Sequence, residues 1–134
     1  MNHYACAILV DDARLLLGRR SAHRRAYAGC WDTIGGKVEP GETLPEALAR
    51  ELGEELGIVP TAYHPLATLD DTDARGPGRA TYHFFAVTHW QGEPSIRDDE
   101  HSELRWFTVE EACALPDLAL ADYVPLFRSL GLKA

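Results

Sequence analysis

The chain has 134 residues, 46% hydrophobic and 25% charged, which is ordinary globular usage and excludes a disordered or fibrous polymer. Thirteen Lys and Arg against 21 Asp and Glu leave a formal net charge of -8, so a binder of nucleic-acid polymers, which carries a basic face, is not expected. No apolar run approaches the roughly 20 residues of a membrane span, and Met1-Asn2-His3-Tyr4 has no basic leader region, so neither a membrane protein nor a secreted one is expected. Tyr4 to Val10 predicts a strand, Asp11-Asp12 a turn, and Arg14 to Gly18 the partner strand of a hairpin. Ser21 to Gly29 reads as a polar, basic loop. Trp31 to Val38 mixes a short strand with Gly35-Gly36, and Pro40-Gly41 signals a turn. Thr43 to Leu56 is the clearest helix: Thr43 and Glu46 have capping-box spacing, Pro45 sits in the first turn, and Gly57 supplies the stop. Strands are expected at Ala62 to Leu69, Ala80 to Trp90 and Glu103 to Val109, with a Gly/Pro/Asp loop from Asp70 to Arg79. Glu110 to Leu115 and Ala121 to Leu130 read as short helices. Strands, helix, strands, helix imply one layered α/β or α+β domain over residues 1–134. The three cysteines, Cys6, Cys30 and Cys113, are odd in number and contain no C-x-x-C, which fits a reducing cytoplasm rather than a disulfide or zinc framework.

The helix carries a charge pattern that a purely structural helix would avoid. At about 100° per residue, Leu44, Leu48, Leu52 and Leu56 form one apolar stripe. Glu51 and Glu55 lie at its edge and Glu54 stands beside Glu51. Glu51–Glu55 and Glu51–Glu54 are like-charge pairs at i,i+4 and i,i+3, both repulsive. Glu46–Arg50 and Arg50–Glu54 are opposite-charge pairs at i,i+4, expected to hold Arg50. Carboxylates crowded at a core edge need a positive partner, and a hard cation with oxygen ligands, most simply Mg²⁺, supplies one. Taken alone, E-x-x-E-E is equally readable as a solvated acidic face.

The surrounding residues bear on that choice. The run from Gly36 to Ile58 resembles the Nudix box, G-x5-E-x7-R-E-U-x-E-E-x-G-U with U a bulky aliphatic. Gly36, Glu42, Arg50, Glu51, Leu52, Glu54, Glu55, Gly57 and Ile58 fill every fixed position. The resemblance implies a Nudix hydrolase: a mixed β-sheet sandwiched between α-helices that cleaves a nucleoside diphosphate linked to a further group. It implies Glu51, Glu54 and Glu55 as metal ligands or base, the Gly36 carbonyl as a further ligand, and Glu42 with Arg50 as a pair locking the box. The implied cofactor is Mg²⁺, with Mn²⁺ as a substitute.

More weakly, the whole chain resembles the MutT-type nucleoside triphosphate pyrophosphohydrolases. Leu17-Gly18-Arg19-Arg20 looks like their double-Arg strand end, and Trp90-Gln91-Gly92-Glu93-Pro94 like their W-x-G-E-P segment. Glu100, six residues before Trp106, matches their catalytic-loop glutamate and is preferred over Glu103 as a ligand or base. Arg20 and Arg79 match substrate-contacting positions, where an arginine can clamp phosphate or base oxygens bidentately. Arg24 and Arg25 add charge before the box, where a solvated loop is the simpler reading. Trp31 could stack on a base. Asp122 either caps the last helix or reads a base. As an acceptor it would favour N–H donors such as those of guanine or cytosine, and it departs from the asparagine of that group, which counts against 8-oxoguanine specificity but leaves oxidised or otherwise non-canonical nucleotides open as substrates. The histidines are scattered and receive no role. The tyrosine and proline positions typical of the diadenosine polyphosphate and ADP-ribose groups do not match here: the proline window holds Asp73 and Ala74, and Pro77 comes late. The implied reaction converts a nucleoside triphosphate to monophosphate and pyrophosphate, in a monomer or homodimer whose partner is a small nucleotide. ADP-ribose or another conjugate is the alternative substrate, and a non-catalytic nucleotide sensor the alternative function.

Overall fold

The computed structural model describes residues 2–24, 26–72 and 78–132. Arg25, and the window holding Asp73, Ala74 and Pro77, lie outside the described residues. In chain order the elements are β1 (Asn2–Asp11), β2 (Arg14–Arg20), β3 (Trp31–Asp32), β4 (Ile34–Lys37), α1 (Leu44–Leu56), β5 (Val59–Thr72), β6 (Arg79–Gln91), β7 (His101–Thr108), α2 (Val109–Cys113) and α3 (Tyr123–Arg128).

The sheet has layers because β1 is apolar on both faces, the mark of a strand covered on both sides. Ala5, Ala7 and Leu9 pack with Ala47, Leu48, Leu52 and Leu56 of α1. Tyr4, Cys6 and Ile8 pack on the opposite side with Ala112 of α2 and Tyr123, Leu126 and Phe127 of α3. The mixed sheet therefore lies between helices. β1 runs parallel to β6 and antiparallel to β4, with Ala5 opposite Gly36. β5 extends the sheet beyond β6, and β2 takes β3 and β7 on its two sides.

Where the elements differ from expectation, the causes are local. The β1–β2 turn falls one residue later, on Asp12 and Ala13, both at positive φ (50° and 60°), the conformation whose twist suits a two-residue hairpin. β5 is longer than Ala62–Leu69 because it pairs with β6 from Val59 to Thr72. Register shifts at Pro60/Ala62, Ala62/Tyr63 and Pro65/Ala67 break the period of two that would have revealed its full length. The ladder also enters the expected Asp70–Arg79 loop from both ends, with Asp70 opposite Thr81 and Thr72 opposite Arg79. The last helix keeps only Tyr123–Arg128 of the expected ten residues.

Candidate active site

The site is built on α1 and the two segments that hold its ends. Thr43 caps the helix: its hydroxyl accepts from Glu46 N, and Glu46 Oε1 accepts from Thr43 N. This reciprocal cap takes Glu46 away from Arg50, the i,i+4 partner the spacing suggested. Arg50 instead reaches back along the chain. Its Nε and Nη2 donate to Glu42 Oε2 and Oε1 at 2.7 and 3.0 Å, a bidentate pair, and Nη2 also donates to the Lys37 carbonyl. Its Nη1 donates to Glu51 at 2.8 Å and Glu54 at 3.3 Å. One guanidinium thus ties the box loop to the helix. The hydrogen bonds from Arg50 hold the Glu42 carboxyl down at about 2, and the same bonds raise the Arg50 pKa further.

Glu51 points at β4. Its carboxylate lies so close to Gly36 that a Cβ at 36 would collide with it, which is why the position takes glycine. Burial raises the Glu51 pKa, with Arg50 pulling the other way. Glu55, one turn further, is 2% exposed, and neither carboxylate oxygen has a hydrogen-bond partner among the described residues. Burial pushes its pKa well up, and Glu100 and Glu51 add to the shift as like charges. A buried carboxylate faced by other carboxylates and holding no hydrogen bond is costly unless a cation joins it.

Glu100 comes from the loop between β6 and β7. The segment after β6 is strapped to the C-terminal end of α1: Ser95 N donates to Leu56 O and Arg97 N to Glu55 O. Ser21 N donates to Glu100 O, and Arg24 Nη2 reaches Glu100 Oε1 at 2.9 Å. Glu55, Glu100 and His101 each present a ligand atom, all within 4.8 Å of one another. His101 is buried, and burial lowers its pKa. Glu103, the rival to Glu100, lies on β7 against Arg105 and outside this group. Glu54 is largely exposed and faces Arg50 at the mouth rather than the buried cluster. The orphaned oxygens of Glu55, with Glu51, Glu100 and His101 beside them, form a carboxylate-rich donor set that fits a divalent cation such as Mg²⁺ or Mn²⁺.

Comparison with known proteins agrees with this geometry. The NUDIX domain model matches residues 1–129. The chain belongs to the NUDIX family and is a Nudix hydrolase. It is 37% identical to the CTP pyrophosphohydrolase of Escherichia coli (strain K12), across 100% of this chain and 95% of that protein. It is 30% identical to the oxidized purine nucleoside triphosphate hydrolase of Mus musculus, across 81% of this chain and 67% of that one. A crystal structure of a MutT NUDIX hydrolase from Burkholderia pseudomallei superposes with a TM-score of 0.83 at 30% identity, covering 96% and 97% of the two chains. Among the described residues, no helix of this Nudix hydrolase is long and apolar enough to cross a membrane.

The outlying site residues of the Nudix domain fall into different places. Trp31 does not offer a stacking face. It is 3% exposed, edge-on to Phe107, with the Arg19 and Arg105 guanidiniums over its ring, so it is core. Arg20 is also interior. Its Nε donates to the Ala26 carbonyl at 2.7 Å and its Nη1 lies 3.7 Å from Asp32, which accepts from Tyr123 Oη. Arg20 thereby fixes the loop that carries Arg24 toward Glu100. Arg79 opens β6 and is exposed. Asp122 stands exposed at the start of α3 and makes no capping hydrogen bond among the described residues. Sequence reasoning missed His101, Asp32 and the Arg24–Glu100 pair. Each depends on contacts across β2, β3 and β7 that no local spacing reports.

Proposed function

We propose that this Nudix hydrolase converts a nucleoside triphosphate to the monophosphate and pyrophosphate, and that cytosine nucleotides are its preferred substrates. The observation that carries the reaction is Glu55: buried, holding no hydrogen bond among the described residues, and faced by Glu51 and Glu100. Glu51, Glu55 and Glu100 would hold Mg²⁺ or Mn²⁺, with Glu54 at the mouth and the Gly36 carbonyl completing the set. When bound, the metal supplies a lowered water pKa and neutralises charge developing on the phosphates. Glu100, held from one side by Arg24 and from the other by the Ser21 bond, accepts the proton of the attacking water. Arg50 keeps Glu51 in place and leaves the reacting atoms to the carboxylates. Exposed Arg79 is available to a phosphate. The free cysteines agree with a cytoplasmic setting.

The base preference rests on Asp122 and on the likeness to a CTP pyrophosphohydrolase. An ionised aspartate accepts from cytosine N4–H₂ and repels the O4 of uracil, whereas asparagine can donate to that oxygen. Asp122→Asn should narrow the ratio of kcat/KM for CTP over UTP by about tenfold, equivalent to about 1.4 kcal/mol. Initial rates of pyrophosphate release across the eight common triphosphates, 8-oxo-dGTP and ADP-ribose read this directly. An unchanged CTP-to-UTP ratio in the variant would remove Asp122 from recognition.

A further inference from the structure

The buried end of the site holds one group that the carboxylate chemistry does not use. His101 directly follows Glu100 and opens β7. It is 5% exposed; its Nδ1 lies 3.6 Å from Glu55 Oε1, and its Nε2 is buried without a hydrogen-bond partner among the described residues. The ring has a slot made for it. A Cβ at Gly18 of β2 would stand 2.6 Å from His101 Cδ2 and 2.9 Å from Cγ, so a side chain there would displace the imidazole.

Two structural explanations fail on these distances. A core histidine held for stability would satisfy its buried nitrogens. A direct hydrogen bond to Glu55 would need the pair about half an ångström closer. The spacing does suit two ligands of one ion. On an octahedral ion with bonds of about 2.1 Å, adjacent ligand atoms stand about 3 Å apart and opposite ones about 4.2 Å. The 3.6 Å pair lies below that upper limit of about 4.2 Å.

We propose that His101 is a nitrogen ligand of the metal centre alongside Glu55 and Glu100, and that it biases the site toward Mn²⁺ or Co²⁺ over Mg²⁺. This rests on the reading above that the carboxylates hold a divalent ion. Carboxylate and water suit Mg²⁺ and Mn²⁺ alike, whereas an imidazole nitrogen favours a transition-metal ion over Mg²⁺. The function that follows is selection among metals by one buried side chain.

The test uses the whole protein with Mn²⁺ as probe. Titration followed by electron paramagnetic resonance gives binding, and pulsed spectra report nuclei coupled to the ion. The expected result is a ¹⁴N coupling that converts to the ¹⁵N pattern in protein grown on ¹⁵N-histidine, disappears in His101→Gln and persists in His23→Ala, whose exposed ring lies 3.4 Å from Asp99. The affinity for Mn²⁺ relative to Mg²⁺ should fall about tenfold or more in His101→Gln. Bound Mn²⁺ without nitrogen coupling overturns the assignment. So does a coupling that survives His101→Gln or is lost in His23→Ala. If His101→Gln does not fold, the labelled wild type and His23→Ala decide the matter without it. Failure of wild type to bind Mn²⁺ at all overturns the carboxylate reading itself, and the His101 role with it.

Discussion

Glu55→Gln should lower kcat for triphosphate hydrolysis by about a thousandfold or more, roughly 4 kcal/mol of transition-state stabilisation, while leaving the fold intact. Gln keeps the shape of Glu55 but not the charge that a cation would meet. The stability signature has the opposite sign from an ordinary core lesion. In metal-free protein Glu55 is buried beside Glu51 and Glu100, so its folded pKa is raised. The folded state then binds the proton more tightly than the unfolded one. That contribution is fully present below the unfolded carboxyl pKa of about 4.5 and is lost as pH rises through the folded value. Burial shifts Glu51 in the same direction. The metal-free thermal midpoint of the wild type should therefore fall on going from pH 5 to pH 8. Glu55→Gln should fall less and match or exceed the wild type at pH 8. Added Mg²⁺ should raise the wild-type midpoint and barely move the variant. Metal affinity should weaken as pH falls, since protons compete for the same oxygens. Kinetics within tenfold of wild type, or a variant midpoint lowered in EDTA at pH 8, would contradict this role.

Arg50→Ala is the second large effect, and it acts by position rather than by chemistry. The guanidinium holds Glu42 bidentately, Glu51 and Glu54 by one nitrogen, and the Lys37 carbonyl. Its removal frees the box loop and lets Glu51 turn away from Gly36. Turnover should drop about a hundredfold, in line with the cost of misplacing a reacting group by about an ångström. The thermal midpoint should drop by about 5 °C, because several charge-assisted bonds are lost at partly exposed positions. Arg50→Lys should recover little, since an ammonium cannot reproduce the fork. The distinguishing readout is Glu42. Its carboxyl, held at about 2 by Arg50, should return toward the ordinary range near 4.5 in a carbon-detected NMR titration. The wild type consequently keeps this pair's contribution above pH 4.5 and loses it as pH falls toward 2. An unmoved Glu42 titration would show that Arg50 does not lock the box.

Much of this site was legible because it is local. Thr43, Pro45, Glu46 and Gly57 mark the ends of α1, and 3.6-residue spacing alone puts Glu51 and Glu55 beside the leucine stripe. The loop between Gly36 and α1 closes through Arg50 and Glu42, eight residues apart in a fixed pattern. Glu100 was legible for another reason, its set distance before Trp106, and the structure puts it beside Glu55 while Glu103 pairs with Arg105. What escaped is non-local. Trp31 lies next to Gly35-Gly36 in sequence, yet β2 and β7 bring Arg19, Arg105 and Phe107 over it and make it core. Arg20 matches a substrate-contacting position in sequence, but the Ala26 carbonyl and Asp32 enclose it. Prolines and register shifts hid the length of β5, and a positive φ at Ala13, which sequence does not advertise, moved the first turn.

The most direct measurement is ³¹P NMR of the products when the protein is incubated with CTP and Mg²⁺, run beside a sample containing EDTA. Equal amounts of CMP and pyrophosphate, with no reaction in EDTA, are expected. CDP with inorganic phosphate, or turnover that EDTA leaves unchanged, would contradict hydrolysis of the internal diphosphate bond at the Glu51–Glu55–Glu100 centre.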